Sequence, residues 1–110
     1  MKTTRTYSPY ALEAARILGT EVARARRERR WTLRDLAARA GITPTTLSKV
    51  ERGDPTVGLG TAFEVAALVG VPLFGAEPNS LAEVARRSEE RLALLPRRVR
   101  EPKGPVKDDF

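Results

Sequence analysis

An all-α fold is predicted for this chain: a five-helix bundle with an extended first helix, an extra C-terminal helix and a disordered tail. Three observations predict it. Apolar residues recur at spacings of three and four along most of the chain. Ser, Thr and Pro stand where helices begin, and Gly stands where they end. The 110 residues are 41% apolar, enough for one small core plus extensions. The expected units are a flexible N-terminus (1–8), a helical domain (9–77), a C-terminal helix (78–95) and a tail (96–110).

The first helix is predicted from about Pro9 to Arg29. Ser8 suits its N-cap, Pro9 its first position, and Tyr7 and Leu12 are placed for a hydrophobic staple. Ala11, Ala14 or Ala15, Leu18, Val22 and Ala25 form its apolar face. Arg24, Arg26, Arg27, Arg29 and Arg30 crowd its end, where cations complement the helix dipole. Trp31 is expected as a packed hinge. Thr32 with Asp35 forms a box-like cap for a second helix, Leu33–Ala40, which buries Leu36, Ala37 and Ala40. Gly41 supplies a left-handed turn and Ile42 plugs it. Thr43 caps a third helix opened by Pro44, with Leu47 and Val50 inward. Gly53 closes it and Asp54-Pro55 turns the chain. A fourth helix is expected over roughly Gly60–Val69, a single closing turn of helix over Val71–Phe74, and a last helix over Leu81–Leu95 capped by Asn79 or Ser80. Beyond Pro96 the sequence lacks periodicity and enough apolar surface to order itself.

Charge narrows the partner. The formal net charge is +6. Residues 1–57 hold 12 basic and 6 acidic residues, whereas residues 58–95 hold 3 basic and 5 acidic. A polyanion is therefore the expected partner, met by the N-terminal half. The chain has no Cys and no His, which excludes thiol and imidazole chemistry and the usual zinc sites. No cofactor or metal is implied, and the scattered acids suggest no catalytic pocket. MKTTRTYSPY lacks the apolar stretch of a signal peptide. The longest apolar run, Val65–Phe74, is about half of the ~20 residues a membrane helix needs. A cytoplasmic protein that does not enter membranes is expected.

Thr32–Gly53, TLRDLAARAGITPTTLSKVERG, has the layout of a helix-turn-helix. Such a motif needs small residues at the helix crossing, a turn glycine, and a polar face on its second helix for the major groove. Ala37, Gly41, and the inward Ile42, Leu47 and Val50 meet the first needs. Pro44, Thr45, Thr46 and Lys49 meet the last. Threonines can hydrogen-bond bases or pack on a thymine methyl, and Lys49 can donate to guanine.

Over about Leu18–Phe74, with the pattern L-x-x-L-A-x-x-A-G-I-[ST]-x-x-x-L-S-x-[IV]-E-x-G, the chain resembles the Cro/C1-type (Xre, lambda-repressor-like) helix-turn-helix family. The resemblance implies base contacts at Pro44, Thr45, Thr46 and Lys49. It implies phosphate contacts at Thr32, Arg34, Thr43, Ser48 and Arg52. The family often has Gln where Leu33 stands here, and this departure moves phosphate duty to Arg34. It also implies a structural pair, Arg26 with Glu51, locking the first helix to the third.

The flanks TYSPYALEAARILG, GTAFEVAALVGVPLF and RLALLPRRVREPKGPVKDDF resemble HipB-type antitoxins. That resemblance implies a homodimer on a pseudopalindromic operator in double-stranded DNA and a HipA-like kinase toxin as partner. A stand-alone Cro/C1-type regulator is the alternative. Leu81, Val84, Ala85, Ser88, Leu92 and Leu95 stripe the last helix, either packing on their own bundle or forming a dimer seam. Phe110, behind two acids, is either a solvated end or a residue that docks on a partner.

Overall fold

The computed structural model describes residues 6–101. Its helices are α1 (Pro9–Glu28), α2 (Leu33–Ala40), α3 (Pro44–Glu51), α4 (Leu59–Leu68) and α5 (Leu81–Ala93), with a 3-10 turn over Pro78–Ser80. Among the described residues the fold is all-α, and the one pairing of strand type is an isolated antiparallel bridge between Leu73 and Ala76.

Local chemistry sets the boundaries. The Ser8 side chain accepts from the Ala11 amide at 3.1 Å, satisfying one of the unpaired donors at the start of α1. The Thr32 hydroxyl accepts from the Asp35 amide at 3.0 Å, and the Asp35 carboxylate accepts from the Thr32 amide at 2.8 Å. This is the reciprocal cap that the spacing of the two residues suggests. Helix α2 ends on Gly41 at φ 72°, with the Ile42 amide donating back to Ala37 O at 3.0 Å. The same closing pattern follows α1, but there the left-handed residue is Arg30, at φ 61°. A side chain in that conformation is uncommon and costs on the order of 1 kcal/mol.

The core joins Val22 and Ala25 of α1, Leu36 and Ala37 of α2, Leu47 and Val50 of α3, and Val65 and Ala66 of α4, together with Val69 and Val71. Each large aliphatic side chain buried there contributes about 1.5–3 kcal/mol. Trp31, Leu33, Ala40, Ile42 and Leu73 pack around this cluster. Helix α5 contributes nothing to it and has no buried residue.

Helix α1 crosses the end of α3 at very short range. A Cβ on Gly19 would sit 2.4 Å from the Val50 carbonyl oxygen and 2.7 Å from that of Glu51. Only a residue without a side chain allows this approach.

Three expectations are corrected. Val71–Phe74 is not a turn of helix. Pro72 has no amide to donate and disfavours helical geometry at Val71. The chain instead reverses at Phe74 and Gly75, both with positive φ, and the Ala76 amide bonds Leu73 O at 3.0 Å. Neither Asn79 nor Ser80 caps the last helix through its side chain, because the 3-10 turn feeds directly into it. Helix α5 stops at Ala93, two residues short of the expected Leu95, since Pro96 biases the residue before it away from helix. The other boundaries differ by a single residue. Most of the tail expected to be disordered, 102–110, lies outside the described residues, as do positions 1–5.

Candidate nucleic-acid interface

Helix α3 is held from below and open above. Leu47 and Val50 are buried in the core, while Pro44, Thr45 and Lys49 are exposed and Thr46 is half-buried. The face carrying the expected base readers therefore points away from the bundle. Its start is stiffened by its own cap. Thr43 Oγ1 accepts from the Thr46 amide at 3.1 Å and donates to Thr46 Oγ1, also at 3.1 Å. Thr45 has no such tie, so of the two candidate threonines it is the freer to meet a base.

The clamp beneath this face is Arg26–Glu51. Arg26 Nε donates to Glu51 Oε2 at 2.7 Å and Nη2 donates to Oε1 at 3.0 Å, with side chains only 9% and 10% exposed. Arg26 Nη1 donates to the Trp31 carbonyl at 2.8 Å. The hydrogen bonds it donates to Glu51 hold the Arg26 guanidinium charged against the opposing effect of burial. One side chain thus ties α1, the α1–α2 hinge and the end of α3 into a single frame.

Trp31 sits half-buried at that hinge, with the Arg39 guanidinium 4.1 Å and that of Arg29 5.8 Å from its ring centre. A ring covered this way is a packed hinge residue.

The expected phosphate contacts fall at two places along the motif. Thr32 and Arg34 are exposed at the start of α2. Leu33 between them turns inward against the core, which explains physically why an apolar residue stands there. At the far end of α3 the Arg52 Nη1 donates to Ser48 Oγ at 3.0 Å. This contact, not foreseen from sequence, aligns two of the expected phosphate ligands. A second unforeseen feature is Thr56. Its amide and hydroxyl donate to Asp54 Oδ1 at 2.9 and 2.7 Å. Those bonds, then the nearby Lys49 and Arg52, hold the Asp54 carboxyl below its ordinary range. The Asp-x-Thr spacing is a recognisable turn signal.

Ion pairing sorts the arginines of α1. Arg24 is tied to Glu21 and Glu28, and Arg16 to Glu13. Arg27, Arg30 and Arg34 are exposed and make no salt bridge among the described residues. Lys49 and Arg52, at the end of α3, are exposed cations as well, the residue type that meets phosphate oxygens.

Residues 22–75 match the model of the helix-turn-helix family. That segment is a helix-turn-helix domain. It contains α2, α3 and α4 whole and the last part of α1, so it holds the exposed α3 face and its Arg26–Glu51 clamp. A helix-turn-helix domain of this kind suggests a DNA-binding transcriptional regulator. No curated protein matches the chain.

The dimer-seam candidates are only partly gathered. Leu81, Val84, Ala85 and Ser88 face a groove of about 570 Å³ shared with Phe63, Ala67, Leu73 and Phe74. Leu92 and Leu95 continue the stripe but are 68% and 62% exposed. Phe110 lies outside the described residues. Among those residues no helix is long and apolar enough to cross a membrane.

Proposed function

We propose that this protein is a sequence-specific transcriptional repressor that reads a pseudopalindromic operator as a homodimer and also serves as the antitoxin of a HipA-like kinase. It acts by occupying the operator of its own operon and by binding the toxin directly, with no reaction of its own, in the cytoplasm. The observation that carries DNA reading is the exposed α3 face, Pro44, Thr45, Thr46 and Lys49, mounted on the buried Arg26–Glu51 clamp. Base contacts come from that face. Phosphate contacts come from Thr32 and Arg34 on one side and Thr43, Ser48 and Arg52 on the other. The antitoxin role is supported by the resemblance of the flanks to HipB-type proteins. A stand-alone regulator without a toxin is the second reading, since the helix-turn-helix match stops at residue 75 and serves both equally.

Replacing Thr46 and Lys49 together by Glu is expected to abolish operator binding while leaving helicity intact. Gel-shift and circular dichroism measurements check this, and surviving operator affinity would mean that α3 is not the reader. Pull-down from the native host with mass spectrometry separates the two readings. Recovery of a kinase-like partner supports the antitoxin, and its absence from a pull-down that recovers the operator supports the stand-alone regulator.

A further inference from the structure

Outside the helix-turn-helix domain, Arg16 is paired with Glu13. On α5, Arg86 is paired with Glu83 and Glu90, and Arg87 with Glu83. Arg97, Arg98 and Arg100 follow Pro96 within five positions, all exposed, and none makes a salt bridge among the described residues. Residues 91–101 hold 4 arginines and 1 glutamate, a surplus of +3. No helix or strand constrains this segment beyond Leu94.

We propose that Arg97, Arg98 and Arg100 form a basic arm that contacts the phosphate backbone of duplex DNA outside the segment read by α3. The inference rests on the DNA-binding reading above. The chemistry favours phosphate over a protein surface. The core of a protein interface is depleted of charge and built on apolar anchors, whereas residues 97–101 hold three cations and a single apolar residue, Val99. Every cation in it is arginine, whose planar fork pairs with phosphate through two parallel hydrogen bonds. An irregular chain can follow a neighbouring stretch of backbone without a fixed register. The arm supplies affinity without reading sequence, because phosphates carry no base information.

The test is the salt dependence of binding to a duplex of arbitrary sequence, about 30 base pairs long, followed by fluorescence anisotropy with the full chain. Each phosphate neutralised contributes about 0.9 to the slope of log affinity against log salt. The variant R97A/R98A/R100A is expected to lose about two to three units of slope per chain. Raising salt fourfold would then weaken the unaltered protein about 16- to 64-fold more than the variant. The variant R97K/R98K/R100K is expected to keep the slope, and unchanged circular dichroism verifies that α5 is intact in both. A loss smaller than one unit in the alanine variant, or a comparable loss in the lysine variant, overturns the arm. So does an alanine variant that keeps its slope but no longer captures a protein partner, which would make the segment a protein-docking element. If the unaltered chain itself binds no duplex, the DNA-binding reading fails. If it binds with a steep slope that the arm variants leave alone, only the arm fails.

Discussion

At the scale of single residues, the most consequential contact is Arg26–Glu51. Two charges almost removed from water are stabilised only because each bond is matched, with the guanidinium fork on both carboxylate oxygens and its remaining nitrogen on the Trp31 carbonyl. Removing one partner strands the other. Glu51→Ala is expected to cost about 3–5 kcal/mol by urea denaturation, and pairing it with Arg26→Met to recover part of that loss. A double variant no better than the single would mean that Glu51 acts otherwise. Asp35 gives the protein an acid-sensitive cap. The Thr32 amide and hydroxyl hold its carboxyl below the ordinary range, so its contribution is complete above the unfolded value of about 3.9 and is lost as pH falls through the lowered folded value. The urea midpoint should therefore drop more steeply below about pH 4 in the unaltered protein than in Asp35→Asn, with no difference between their slopes above pH 5. Parallel curves below pH 4 would remove Asp35 from the account.

At the scale of elements, short helices are made useful by their ends and crossings. Helices α2 and α3 are 8 residues each, too short to persist alone in water. Their caps satisfy the backbone and their apolar sides complete the core. The crossing of α1 over α3 depends on Gly19. Alanine is intrinsically better in a helix by about 1 kcal/mol, so propensity alone predicts that Gly19→Ala stabilises. The carbonyl oxygens 2.4 and 2.7 Å from the added methyl predict the reverse. A melting temperature several degrees lower, together with weaker operator binding as α3 shifts, is the expected result, and a raised melting temperature would contradict the close crossing.

At the scale of the whole molecule, the protein divides into a packed domain and an exposed amphipathic helix. A 13-residue helix with no buried residue needs an apolar partner to be stable. In the proposed homodimer the stripe from Leu81 to Leu95 meets a second copy. To read two half-sites, the two α3 helices of that dimer should sit about 34 Å apart, one turn of duplex. Replacing Leu92 and Leu95 by Glu is expected to give a monomer in sedimentation equilibrium and a large loss of affinity for a two-half-site operator, with binding to a single half-site preserved. A dimer that survives both substitutions would place the seam elsewhere.

Sequence by itself determined the helical order, the caps at Ser8, Thr32 and Thr43, the turn at Gly41 and the polar face of α3. Each of these is encoded by neighbours a few residues apart, through hydrogen-bonding side chains and the 3.6-residue period. The resemblance placed Arg26 against Glu51, 25 positions away, which periodicity alone does not reveal. Only the tertiary structure decided that Gly19 is a contact and not a weak spot, that Val71–Phe74 reverses instead of coiling, and that Leu33 turns into the core while Arg34 stays out. It also decided that the arginines of α1 and α5 are largely neutralised and those past Pro96 are not. Those outcomes depend on which backbone approaches which and on where charges end up in space, distances that local patterns do not contain.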